Sequence, residues 1–312
     1  MDATERDLFA GSVRAAMESP DVDGALVDLG WRDALADDVR AAVSVVFDVQ
    51  GRANAASSAL DDVLLDALGI DTRAAVVLPP LASWRATSTA GVTTRALSTR
   101  SDAVVLSARD DKYVAHIVPA TNLVARPISG IDPTLGLLAV ELSDESRPIP
   151  REMPDSSGQQ VDWDAALAAG QRALAHELVG AARTMLDLAQ EHALGREQFG
   201  RPIAQFQAVR HRLAETFVYV EAADALVGEA WDEGGAESAR MAKAFAGRAA
   251  RTAARHCQQV LAGIGFTTEH PFHRYLARVL VLDQLLGSGR ALTRELGRDV
   301  LRRRALPPLV DL

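Results

Sequence analysis

Two short stretches of this 312-residue chain carry side chains suited to gripping an anionic, partly aromatic ligand. The first is Arg196-Glu197-Gln198-Phe199-Gly200. An arginine offers a planar fork of donors that matches phosphate oxygens, and a phenylalanine packs against a flat heteroaromatic ring. Gly200 lets the chain turn. The second is Gln259-Val260-Leu261-Ala262-Gly263-Ile264-Gly265-Phe266. There Gly263 and Gly265 remove side chains where a backbone must come close to a ligand, and Gln259 supplies an amide. Spacing alone leaves a plainer assignment open, in which Arg196 to Gly200 caps a helix and the glycines relieve packing.

Other chemistries are poorly served. The seven histidines show no close metal-ligand spacing; His270 and His273, with Pro271 between them, form the only near pair. Phosphate-binding loops, a Gly-x-Ser-x-Gly elbow and Cys-x-x-Cys pairs are absent. The single cysteine, Cys257, sits in an alanine-rich apolar stretch and reads as a small buried hydrophobe. It excludes an internal disulfide and fits a reducing cytoplasm, the expected location. A net charge of −9 argues against a nucleic-acid partner. No apolar run reaches the roughly 20 residues of a membrane span. The first residues lack the basic-then-apolar pattern of a secretory leader.

The elements that must position these residues follow from periodicity. Residues 1–70 read as a helical region, with Leu26, Leu29, Trp31, Leu35, Val39, Val43, Val46, Leu60, Val63 and Leu64 near a 3.6-residue period. Gly51 and the run Asn54 to Ser58 mark a break. Residues 71–147 change to short apolar runs separated by Pro79-Pro80, Asp110-Asp111, Pro119 and Gly130 to Pro133, which predicts a small antiparallel β unit. Residues 148–160, rich in proline, serine and charge, read as a linker. Residues 161–312 read as a four-helix bundle: Leu167, Leu174, Leu178, Ala181, Met185 and Leu188 stripe the first helix, and Leu276, Val279, Leu282, Leu286, Leu292, Leu296 and Val300 the fourth. The predicted fold class is mainly α with a small β unit.

This order, together with Arg196-Glu197-Gln198-Phe199-Gly200-Arg201-Pro202-Ile203-Ala204-Gln205-Phe206-Gln207 and Gln259 to Phe266 followed by Thr267-Thr268-Glu269-His270-Pro271, resembles the acyl-CoA dehydrogenase family. The resemblance is densest from about 163 to 300. It implies the family's fold, FAD as cofactor, and α,β-dehydrogenation of an acyl-CoA thioester. In the family the two segments reach across a subunit interface to the ADP portion of a partner's FAD. By resemblance that role falls on Arg196, Phe199, Gln259 and Gly263, with Gln198 and Gly265 as lesser candidates.

What the family needs for catalysis is missing. Its glutamate base, in a Tyr-Glu-Gly-Thr pattern, corresponds to Leu286 in Leu285-Leu286-Gly287-Ser288. A side chain without a proton acceptor cannot take the thioester's α-proton. Some relatives carry the glutamate on the first bundle helix, where the corresponding residue is Gly170. Asp283 and Glu177 are the nearest carboxylates that could substitute, and both read more simply as structural. The family's Thr-x-Pro-x-x-Gly-Ser-Asp loop, which contacts the flavin ring, has no counterpart. Trp84-Arg85-Ala86-Thr87 lies too early for its later Trp-x-Thr strand. The resemblance therefore implies a shortened subunit lacking the catalytic glutamate, as in heteromeric bacterial steroid-catabolic members. A homologous catalytic partner, in an α2β2 assembly, would supply the base, the flavin-ring pocket and most of the acyl-CoA cavity. The alternatives are a cofactor-free scaffold subunit and an active homodimer with a relocated base.

Overall fold

The computed structural model describes residues 1–109, 112–142 and 158–304. Most of the expected linker, 148–157, lies outside the described residues.

Five helices open the chain: α1 (Ala3–Met17), α2 (Val22–Asp28), α3 (Trp31–Asp37), α4 (Val39–Ala53) and α5 (Ala59–Ala67). Aspartates start the first, second and fourth: Asp2 in a capping box with Glu5, Asp21 on Gly24 N–H and Asp38 on Ala41 N–H. Asn54, at φ 52°, ends α4. The break is thus at 54–58, and Gly51 lies inside the helix. It is needed there for a close crossing. A Cβ on Gly51 would sit 2.1 Å from the Glu177 carbonyl oxygen, and one on Gly180 would sit 2.3 Å from that of Asp48.

The β unit comprises β1 (Ala74–Val76), β2 (Ala90–Thr93), β3 (Asp102–Arg109), β4 (Lys112–Pro119), β5 (Leu123–Pro127), β6 (Leu138–Leu142) and β7 (Gln159–Val161). They form two sheets, β1-β3-β4-β7 and β2-β6-β5. Two features depart from the sequence expectation. β1 runs parallel to β3, with Ala75 opposite Ala103; β2 lies in the long connection that such a pair requires. The last residues of the expected linker, Gln159 and Gln160, add a strand to β4. Three polar or half-buried residues give no alternation from which to read a strand.

The C-terminal part holds α6 (Trp163–Gly195), α7 (Gln207–Glu233), α8 (Ala236–Leu261), α9 (Phe272–Leu282) and α10 (Gly289–Arg303). α6 is the axis, packed on α4 and α5 to one side and on α8 and α7 to the other. The expected fourth helix is two helices. The chain leaves α9 at Asp283 and turns through Leu286, φ 53°, and Gly287, φ 101°. Ser288 then caps α10 by accepting Ala291 N–H at 3.3 Å. Leu286 fits a helical stripe in sequence because its side chain is buried, although its backbone is not helical.

Buried ions tie the layers together. Asp61 of α5 accepts Val76 N–H at 2.7 Å and the Thr94 hydroxyl at 2.5 Å, and burial pushes its carboxyl up to about 6. Arg278 of α9 donates to Asp132 at 2.6 Å and to the Ala55 carbonyl, and its guanidinium lies 3.8 Å from Glu177.

Candidate functional site

α7 returns between α6 and α8, so α6 and α8 run parallel and their C-terminal ends share one end of the bundle. Both sequence segments lie there. At the end of α6 the Arg196 N–H closes on the His192 carbonyl at 2.9 Å, and the Arg196 carbonyl receives Ile203 N–H at 2.8 Å. Between these anchors a small hairpin forms, β8 (Glu197–Gln198) against β9 (Arg201–Pro202). Its two central residues, Phe199 (φ 55°) and Gly200 (φ 74°), are both left-handed, the geometry of a type I′ turn. Glycine is at home there. Phenylalanine is not, and its side chain is 94% exposed.

A small aromatic platform supports the turn. The Phe199 ring meets Phe206 edge-on at 6.2 Å, and the Arg201 guanidinium stacks on Phe206 at 4.5 Å. The Arg196 side chain makes no hydrogen bond or ion pair among the described residues, leaving its donors free. Gln198 turns back onto the Glu197 carbonyl at 2.6 Å, so its amide is partly committed.

At the end of α8, Gln259 is exposed and likewise unbonded among the described residues, and Gly263 opens on empty space. Gly265 plays a different part. It is buried, and a Cβ there would sit 2.9 Å from that of Leu261, so packing alone calls for a glycine. Phe266, 74% exposed, adds a second aromatic face at this end. Burial first, and then the charges of His270 and Arg196, hold the His192 imidazole below its ordinary range. The two segments thus lie near one another, since His270 just past the second acts on His192 just before the first. They present free guanidinium, amide and aromatic surface beside backbone that a ligand can approach, which suits the ADP half of a flavin dinucleotide.

The two expected base positions also converge, on an apolar contact. A Cβ on Gly170 would meet Leu286 Cδ1 at 2.6 Å, Leu64 Cδ2 at 3.0 Å and Leu60 Cδ1 at 3.6 Å. Leu286 thus fills the space over Gly170, and neither position offers a proton acceptor. The turn carrying Leu286 is held firmly. Gln171 donates to the Leu286 carbonyl at 3.0 Å. The buried Lys243 ammonium donates to the carbonyls of Leu282 and Asp283, both at 3.2 Å, and of Gly287 at 3.4 Å. Burial brings Lys243 down to about 8. From the β unit, Ala82 N–H reaches the Gln284 carbonyl at 2.8 Å.

The substitute carboxylates are engaged elsewhere. Asp283 pairs with Arg251 and accepts Gly289 N–H at 3.1 Å. Glu177 is buried beside Arg278, and burial pushes its carboxyl up to about 7. Sequence reasoning overlooked Phe206, Lys243 and Gln171. Phe206 was visible six residues after the first segment and Gln171 beside Gly170, whereas nothing local marks Lys243 as buried.

Residues 163–301 match the family of acyl-CoA dehydrogenase C-terminal domains. Over 180 residues the chain is 38% identical to acyl-CoA dehydrogenase IpdE2 of Mycobacterium tuberculosis, covering 58% of this chain and 53% of that protein. Over 217 residues it is 36% identical to acyl-CoA dehydrogenase FadE34 of the same organism, covering 67% and 29%. The matched stretches thus span about half or less of these relatives. Among solved structures, the ChsE4-ChsE5 complex from M. tuberculosis has a TM-score of 0.76 at 18% identity, covering 99% of both chains. A variant of the Tcur3481-Tcur3483 steroid ACAD gives 0.74 at 19%, covering 97% and 99%. Glutaryl-CoA dehydrogenase from Mycobacterium smegmatis in complex with FADH2 gives 0.77 at 16%, covering 98% and 97%. At such identities the structures show a common fold. Residues 163–301 are thus an acyl-CoA dehydrogenase C-terminal domain, and the chain shares the fold of these structures along its length.

Proposed function

We propose that this chain is the non-catalytic subunit of a heteromeric, FAD-dependent acyl-CoA dehydrogenase. The observation that carries the reading is the contrast between its two sites. The base positions Gly170 and Leu286 close on each other through an apolar contact, while Arg196, Phe199, Gln259 and Gly263 stay exposed and open. A homologous partner supplies the glutamate that removes the α-proton of an acyl-CoA, most of the acyl cavity and the flavin-ring pocket. This chain holds the ADP half: Arg196 and Gln259 on the pyrophosphate oxygens, Phe199 against the adenine face, and Gly263 as the point of close approach. When bound, the flavin supplies the two-electron acceptor for the hydride leaving Cβ. The solved steroid ACAD and the ChsE4-ChsE5 complex support a steroid-derived thioester and a two-chain assembly, which we take to be α2β2.

The test is reconstitution with the homologous partner. Arg196→Ala is expected to lower flavin content and salt resistance of the complex while leaving the two chains associated. Unchanged flavin content would favour a cofactor-free scaffold instead. The purified chain alone is expected to be colourless and inactive toward acyl-CoA. A yellow, active preparation would overturn the assignment.

A further inference from the structure

Arg172, in the third turn of α6, is a buried cation without a counter-charge: the residue is only 7% exposed. Its guanidinium lies over the Trp231 ring, 4.7 Å from the centroid, and donates to the Gly234 carbonyl at 3.1 Å. Nε is buried and has no acceptor. No carboxylate pairs with it among the described residues, and burial pulls the guanidinium below its ordinary range. Its neighbours are neutral. Trp231 donates its indole N–H to His176 Nε2 at 3.1 Å, and burial brings that imidazole down to about 4. Acids at this end of the bundle pair with other arginines: Asp232 with Arg40 at 2.5 Å, Glu237 with Arg303 at 2.5 Å and Asp299 with Arg240 at 3.1 Å. Glu233 is exposed and pairs with nothing among the described residues. The C-terminal end of α7 carries only about half an elementary charge, and an aromatic face attracts a cation more weakly than an ion pair does.

The same place holds unspent backbone donors. α7 ends at Gly234, φ 71°, and α8 starts from Gly235, which has no side chain to cap it. The first α8 N–H with an acceptor is that of Ala239, on the Gly235 carbonyl at 3.2 Å. The N–H groups of Ala236, Glu237 and Ser238 are therefore left open. The hydrogen bond from Arg172 to Gly234 puts the guanidinium one residue from that helix start. Two positive features thus meet at the α7–α8 turn. The turn is also open: a Cβ on Gly234 would meet nothing within 4 Å, and one on Gly235 nothing nearer than Ser238 Oγ at 3.7 Å. The 27 residues of α7, about 40 Å of helix, separate it from the Arg196–Gly200 hairpin, so it is independent of the flavin clamp.

We propose that the α7–α8 turn is a binding site for a phosphate-type oxyanion, held by the Arg172 guanidinium and the free N–H groups that open α8. Trp231 fixes the plane of the guanidinium, and the two glycines leave room for oxygens to reach the backbone. The anion supplies the counter-charge that no side chain of this chain provides.

Thermal melts of the full chain, without partner or flavin, test it in buffers matched for ionic strength. Replacing chloride by about 50 mM inorganic phosphate is expected to raise the melting temperature by about 3–5 °C, the shift for a dissociation constant of about 1 mM. Arg172→Met is expected to lose that shift while melting no lower than the parent in chloride, because no buried ion is then stranded. Gly235→Asp places a carboxylate at the start of α8 and is expected to lose the shift with the arginine intact. It keeps the test open should Arg172→Met fail to fold. Glycerol 3-phosphate separates two sources of the anion: a shift like that of phosphate supports an esterified group, and none supports the free ion. A parent that does not respond to phosphate would overturn the proposal and leave Arg172 as the cap of α7. A shift of the same size in parent and variants would overturn it too, since that is an adventitious ion only.

Discussion

Phe199 and Leu286 hold nearly the same left-handed backbone, φ 55° and 53°, a conformation that costs a residue with a Cβ about 1–2 kcal/mol. Their surroundings differ. Leu286 is buried and recovers part of that cost by filling the space over Gly170. Phe199 is almost fully exposed, and among the described residues its one ring contact is the edge-on meeting with Phe206. Strain without burial suggests a residue kept for something outside the chain. Phe199→Gly is therefore expected to leave the isolated chain equally stable or more so, by up to about 1 kcal/mol, and to lower flavin retention in the reconstituted complex. Thermal melts of the chain and flavin absorbance of the complex would check the two signs. A loss of stability together with unchanged flavin would show that the ring serves the fold.

At the scale of elements, the turn between α9 and α10 joins the two base positions into one packed unit. Gly170→Ala alone forces a methyl group to within 2.6 Å of Leu286 and is expected to cost about 1–3 kcal/mol. Adding Leu286→Ala removes the obstacle, so the double variant should be more stable than the sum of the singles predicts. Additive effects in urea melts would contradict the packing described. This contact also marks how far the sequence could be read. The positions Gly170 and Leu286 were each found by counting along a resemblance, but that they touch depends on the α6–α9 arrangement. Long amphipathic helices such as α6 were legible because many residues repeat one period. The break between α9 and α10 was not, because Leu285 and Leu286 continue the apolar spacing while Gly287 and Ser288 interrupt only the backbone. β7 and the β8–β9 hairpin are too short for any pattern. At the clamp, the residue types of Arg196, Phe199, Gln259 and Gly263 could be chosen from sequence. Gly265 shows the limit, since only its buried position assigns it to packing.

At the scale of the whole molecule, buried titratable groups give the stability a dependence on pH. Glu177 rises from 4.5 to about 7 through burial, with Arg278 opposing. Between these values the folded chain keeps a proton that the unfolded chain releases. Stability therefore falls as pH rises from about 4.5 to 7 and is flat above, a loss of roughly 1–3 kcal/mol. His176 runs the other way. Burial brings it down from 6.5 to about 4, so its contribution is lost as pH falls through that interval. Glu177→Gln isolates the first effect: the variant should gain on the parent between pH 5 and pH 8. A stability difference that does not change with pH would show that Glu177 does not titrate there.

The Arg278 side chain touches the α4–α5 connection at Ala55, the β unit at Asp132 and α6 beside Glu177. No one of these regions can open without stranding a buried charge, a penalty of several kcal/mol. The three sequence-defined regions should therefore melt as one cooperative unit, with a single calorimetric peak rather than three. Arg278→Met is expected to uncouple them. Amide hydrogens of the β unit would then exchange faster than those of α6, whereas in the parent the slowest in both would exchange together. A fragment cut at the 148–160 segment would for the same reason be a poor miniature of either half.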